Sequence, residues 1–181
     1  MADITLLGLS GALRTGSTNR QLLREAARLF GDATYIEADL ALPLYNGDDE
    51  DSTGIPAEVQ KLADQIASAD AVLISTPEYN GAPSGVLKNA LDWVSRTSGS
   101  PWAGKPLAIM SAASGRAGGA RAQIILRSFR VPFRPRILQG PEVMVADARG
   151  QFDENGQLTG KSYVKALTTL MQDLQSELPA D

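Results

Sequence analysis

The stretch Ser10-Gly11-Ala12-Leu13-Arg14-Thr15-Gly16-Ser17-Thr18-Asn19 carries four hydroxyls, an amide, an arginine and two glycines, and it holds no carboxylate. A phosphate held at the start of a helix wants open backbone N–H groups, hydroxyl donors and a fixed positive charge, and carboxylates repel it. Ser10, Arg14, Ser17, Thr18 and Asn19 offer that chemistry. The same residue types also cap helices and leave Arg14 as a solvated charge, so the segment alone supports both readings. Gly8, Gly11 and Gly16 miss the G-x-G-x-x-G spacing of a dinucleotide loop, and no G-K-[ST] of a Walker loop is present. Leu9, Ser10 and Gly11 supply neither the nucleophilic cysteine of a low-molecular-weight tyrosine phosphatase nor the carboxylates of a magnesium-binding receiver domain.

Two further segments have unusual chemistry. Ser75-Thr76-Pro77-Glu78-Tyr79-Asn80-Gly81-Ala82-Pro83-Ser84-Gly85 holds two prolines and two glycines, which predicts a rigid, shaped loop. Such a loop sets backbone groups against a flat heterocycle, and a flavin ring, with apolar faces and a hydrogen-bonding edge, needs an amphipathic slot with a few placed donors, to which Tyr79 and Asn80 can contribute. Surface packing for Tyr79 and turn formation for Asn80 are the plainer alternatives. In Ser111-Ala112-Ala113-Ser114-Gly115-Arg116-Ala117-Gly118-Gly119 the small residues admit close approach of another molecule, and Arg116 can meet a second cofactor's phosphate. A glycine-rich connection without a ligand would read the same way.

The 181 residues include no cysteine and no histidine. That removes disulfides, thiolate nucleophiles, zinc knuckles, iron–sulfur clusters and the commonest general base, so no metal site is expected. Chemistry near neutral pH must rest on carboxylates, lysine, tyrosine or a cofactor with its own reactivity. The net charge of −4 and pI near 4.9 speak against nucleic acid and anionic membrane surfaces as partners. No run approaches the roughly 20 apolar residues of a membrane span, and Met1-Ala2-Asp3 opens no basic-then-apolar leader; a cytosolic protein is expected.

Short apolar runs alternate with longer amphipathic stretches, the pattern of βα units around a parallel sheet. Strands are predicted at Ile4 to Leu9, Thr34 to Ala38, Ala71 to Ser75, Leu107 to Ser111 and around Glu142 to Val145. Helical spacing appears in Leu22, Leu23, Ala26, Ala27 and Phe30, and again in Val86, Leu87, Ala90, Leu91 and Val94. Further helices are predicted from Pro56 to about Ser68, from Gly118-Gly119 to about Phe129, and after Thr159 as N-cap, burying Tyr163, Val164, Leu167, Leu170, Met171 and Leu174. Leu40 to Ile55 and Ala146 to Leu158 read as long, turn-rich connections. The five units define one α/β domain over residues 1–181, a flavodoxin-like, doubly wound, five-stranded parallel sheet with helices on both faces. Open sheets of this kind bind ligands beyond the carboxyl ends of their strands, where the three unusual loops fall.

Gly11 to Arg20, read as G-[SA]-L-R-x-x-S-x-N-R, occurs with Pro77-Glu78-Tyr79-Asn80 and with Leu87-Lys88-Asn89-Ala90-Leu91-Asp92-Trp93. Together these resemble the NADPH-dependent FMN reductase family, which includes chromate/quinone reductases and azoreductases. The resemblance also covers Gly104-Lys105-Pro106 and Gly118-Gly119-Ala120-Arg121, and weakens over the last third. It implies noncovalent FMN, NADPH or NADH as donor, and a homodimer or homotetramer with active sites near subunit interfaces. Carried over by position, Arg14, Ser17, Thr18 and Asn19 would hold the FMN phosphate. Pro77, Glu78, Tyr79, Asn80 and Gly81 would line the ribityl chain and ring, with Ser111 and Ala113 near the ring's other edge. Ala12 stands where the family usually has serine, a hydroxyl that Ser10 would replace; Gly81 and Pro83-Ser84 also depart from the usual pattern. The implied reaction passes hydride from NAD(P)H to the flavin and on to quinones, azo compounds, free flavin or metal oxyanions such as chromate. Arg116 would help stabilise the reduced flavin, and no protein side chain acts as catalyst. A flavodoxin-type, non-enzymatic electron carrier is the alternative.

Overall fold

Leu6, Leu7 and Leu9 in the first strand, Val72, Leu73 and Ile74 in the third, and Leu107 to Met110 in the fourth are at most 1% exposed. Strands apolar on both faces must be covered on both, which only a layer of helices on each side achieves. The computed structural model describes residues 4–129 and 131–179, so Met1, Ala2 and Asp3, read above for a leader, lie outside the described residues. Its elements are β1 (Thr5–Ser10), α1 (Thr18–Phe30), β2 (Thr34–Ala38), α2 (Gly47–Thr53), α3 (Ala57–Ser68), β3 (Ala71–Thr76), β4 (Glu78–Tyr79), β5 (Ala82–Pro83), α4 (Gly85–Val94), β6 (Pro106–Ala112), α5 (Ala120–Phe129), β7 (Arg136–Ile137), β8 (Val143–Val145) and α6 (Lys161–Ser176).

The sheet runs β2-β1-β3-β6 in parallel register, and both β7 and β8 pair with β6 at the far edge. This is the expected flavodoxin-like order. Alternate residues sort to opposite faces: Leu6, Leu73, Ala108 and Met110 pack with α1 and α6, while Leu7, Leu9, Val72, Ile74 and Ile109 pack with α3, α4 and Leu126 of α5.

Three expectations change. The fifth strand is divided: β7 extends the β6 pairing at Pro106 and Leu107, and β8 resumes it at Met110 to Ala112. Pro141 between them has no N–H to give a ladder. Thr159 is not the N-cap of the last helix. Its N–H and hydroxyl both donate to Gln151 O, at 2.9 and 3.1 Å, and Gly160 precedes the helix without a side-chain cap. The connection from Leu40 to Ile55 contains α2, capped by Asn46 and burying none of its residues. That segment is fastened to α4, whose Trp93 Nε1 and Asn89 Nδ2 both donate to Pro43 O, at 2.7 and 2.8 Å. Asn89 Oδ1 accepts from Tyr45 N at 2.9 Å, and the Tyr45 ring meets Trp93 edge-on at 5.0 Å.

Candidate functional site

Loop residues following β1, β3, β6 and β8 enclose a cleft of about 410 Å³ at the carboxyl edge of the sheet. A smaller cavity, about 240 Å³ between Trp102 and Phe133, lies on the segments that lead into β6 and β7.

The first wall is the loop from Ala12 and the opening of α1. Gly11 N–H donates to Ser75 O at 2.8 Å, and a Cβ on Gly11 would lie 2.9 Å from Ser84 Oγ and 3.0 Å from Pro77 Cδ. Only glycine lets the loop pack this tightly onto the start of the next one. Ser17 caps α1, its hydroxyl accepting from Asn19 N at 3.2 Å. Gln21 N–H donates to Ser17 O, which leaves the N–H groups of Thr18 and Arg20 without partners among the described residues. The first turn holds no acidic residue.

Asn19 is 2% exposed, and its amide faces the sheet. Nδ2 donates to Ala112 O at 2.9 Å, and Oδ1 accepts from Ala112 N at 3.0 Å and from Ser75 Oγ at 2.8 Å. Arg20 braces the same loop from behind: Nη1 pairs with Glu37 Oε1 at 2.6 Å, and Nε donates to Ala12 O at 3.3 Å. Its charge is neutralised there, which leaves Arg14 and Arg149 as the cations in the cleft wall.

The second wall is Pro77 to Tyr79. β4 and β5 form a hairpin whose two-residue turn, Asn80-Gly81, has φ of 52° and 78°. Positive φ at both turn positions is the type I′ geometry that matches strand twist, and Asn-Gly is its preferred pair. The Glu78 carboxylate turns to α5, accepting from Arg121 N at 3.0 Å and Ala122 N at 3.2 Å, so the hairpin and that helix form one unit. The Tyr79 ring stands 57% exposed at the cleft.

The third wall is Ala112 to Ser114 with Ala148 and Arg149. Ser111 lies beneath it, fully buried; its hydroxyl donates to Gly118 O at 2.6 Å and accepts from Gln123 Nε2 at 2.8 Å. A Cβ on Gly119 would approach Ser111 Cβ to 2.7 Å, which explains the glycine.

Among the residues singled out from sequence, Arg14, Ser17, Thr18, Asn19, Pro77, Glu78, Tyr79 and Ala113 come together in this cleft. Ser10, Asn80, Gly81, Ser111 and Arg116 stand outside its wall. Ser10 turns its hydroxyl back onto the Ala12 backbone, donating to O at 3.1 Å and accepting from N at 3.2 Å, so the hydroxyl absent at Ala12 is not restored. Gln21, Ala148 and Arg149 line the cleft and were not anticipated. The loop after the fifth strand shares the same sheet edge, which was the available signal. Among the described residues no group of three or more carboxylates could hold a metal, and no helix is long and apolar enough to cross a membrane.

A flavodoxin-like sheet that gathers a helix N-terminus, hydroxyls and two arginines beside an amphipathic slot has the chemistry to take a phosphate-bearing, partly apolar ligand. Residues 4–150 match the model of the NADPH-dependent FMN reductase family. The sequence is 46% identical over 176 residues to an NAD(P)H-dependent FMN reductase of Pseudomonas aeruginosa, covering 96% of this chain and 93% of that one. It is 37% identical over 169 residues to a quinone reductase of Escherichia coli K12, covering 91% and 90%. The fold superposes on that of FerB, an NAD(P)H:(acceptor) oxidoreductase from Paracoccus denitrificans, with a TM-score of 0.85 at 30% identity, covering 96% of each chain. The chain belongs to the NADPH-dependent FMN reductase family. It is an oxidoreductase with FMN as cofactor and NAD(P)H as electron donor, which sets the electron-carrier alternative aside.

Proposed function

We propose that the cleft holds FMN with its phosphate against the first turn of α1 and its ring along Pro77 to Tyr79, and that the acceptors are quinones. The observation that carries this reading is one cleft joining the open N–H group of Thr18, the Ser17 and Thr18 hydroxyls and the Arg14 guanidinium to the Pro77–Tyr79 edge. Bound FMN supplies the hydride acceptance and delivery. The chain's own part is to bind and orient. Arg14 and the α1 start fix the tail by charge-assisted hydrogen bonds, the hairpin held by Glu78 keeps one edge of the slot rigid, and Tyr79 faces the mouth where donor and acceptor enter in turn. Quinone as acceptor follows from the likeness to the E. coli quinone reductase; azo compounds, free flavin and metal oxyanions such as chromate are the acceptors that the family resemblance adds.

The whole chain, residues 1–181, acts in this reading as a single FMN-binding domain in the cytosol, assembled as a homodimer or homotetramer. Ile124 and Val131, which are 63% and 74% exposed, supply apolar surface for such an assembly to cover. Purified protein should be yellow or turn yellow on adding FMN, bleach with NADPH in the absence of oxygen, and regain colour when benzoquinone is added. Protein that stays colourless with FMN supplied sinks the reading.

A further inference from the structure

Arg149 lies in a three-residue 3-10 turn, Ala148–Gly150, with two residues between it and the end of β8. It is exposed, lines the cleft, and makes no hydrogen bond or ion pair with the described residues. A continuous run of bonds fixes where it stands relative to α1. The Asn19 amide, in the first turn of α1, pairs with both backbone groups of Ala112. The next residue, Ala113, donates its N–H to Val145 O at 3.0 Å and accepts at its carbonyl from Ala148 N at 3.1 Å. Arg149 therefore leaves the chain one side-chain amide pair and one backbone bond away from the helix start whose N–H groups are open.

Two features of this chain call for a second cation there. A phosphate monoester carries close to two negative charges near neutral pH, and one guanidinium offsets about half of that. The first loop also withholds one of its hydroxyls, because Ser10 is engaged with the Ala12 backbone. We infer that Arg149, from the wall bonded to the start of α1, is the second cation on the phosphate monoester of bound FMN and raises the enzyme's preference for FMN over riboflavin. The inference rests on the cofactor reading above and adds a residue to it.

A phosphate monoester has two sources in this reaction, the 5′-phosphate of FMN and the 2′-phosphate of NADPH, and the assay separates them. Flavin-stripped wild type, R149A and R149K are titrated with FMN and with riboflavin by fluorescence quenching, at low and at high salt, and KM is measured for NADPH and NADH. R149A should bind FMN about ten- to a hundredfold more weakly, with a flatter salt dependence, and riboflavin within about twofold of wild type. R149K, a point charge without the planar fork, should fall between. Equal weakening toward both flavins would mark a structural role and overturn the assignment. Unchanged FMN affinity in R149A would overturn it too, as would a loss confined to NADPH over NADH discrimination. Wild type that binds neither flavin would overturn the cofactor reading together with the assignment, whereas wild-type binding beside an unaltered R149A overturns the assignment alone.

Discussion

The Asn19 side chain touches β3 through Ser75 and β6 through Ala112, so one buried amide joins the start of α1 to two strands. Asn19→Ala would leave the Ala112 N–H and C=O and the Ser75 hydroxyl unpaired, at roughly 1 kcal/mol or more each, so a stability loss of about 3 kcal/mol is expected. Urea unfolding should record it as a lower midpoint at unchanged slope. Arg14→Ala touches no internal contact of this kind. It should leave the midpoint alone and weaken FMN about tenfold in a flavin titration; unaltered affinity would remove Arg14 from the site. Residue types announced an anion-binding loop, but they did not reveal which hydroxyls face the cleft. Ser10 and Ser111 have the right chemistry and turn inward, because each is beside a backbone group that needs a partner, and no sequence pattern carries that direction.

β1, β3 and β6 were legible because runs apolar on both faces leave little choice but a covered parallel strand. α2 was not legible, since a helix that buries nothing shows no apolar stripe. Asn80-Gly81 is the sequence signal of the β4–β5 hairpin, but strands two residues long carry no alternation beside it. Gly81→Val forces a branched side chain to φ 78° at a cost of about 1–2 kcal/mol. It should loosen the hairpin and broaden the bound flavin's absorption bands while α1 contacts persist. Acid should release a different element. The Arg96 guanidinium, helped by the Tyr45 hydroxyl, holds the Glu50 carboxyl below its ordinary value of 4.5. A lowered carboxyl pKa means that this contact stabilises the fold above the ordinary value and is lost as pH falls through the lowered one. Trp93 fluorescence, reporting on the Tyr45 ring packed against it, should therefore step below pH 4.5, and Glu50→Gln should abolish the step.

Sheet order was readable because short apolar runs recur regularly between amphipathic stretches; the split of the fifth strand was not, because β7 is two residues long and the five residues 138–142 that follow it stand opposite only Ala108 and Ile109. The cleft draws its walls from four separate stretches of chain, so a ligand there links them. FMN at a hundred times its Kd should add about 2.7 kcal/mol of stability, which for a domain of this size is about 5–10 °C in Tm by calorimetry; no shift would count against binding at this site. The bonded run from Asn19 through Ala112 and Ala113 to Ala148 also bears on how relatives diverge. Grafting one rim segment from a homologue should fail unless its bonded neighbours travel with it, which makes substitutions along that path epistatic. Innovation in acceptor choice is then easiest at the hairpin tip around Tyr79, which this path does not reach.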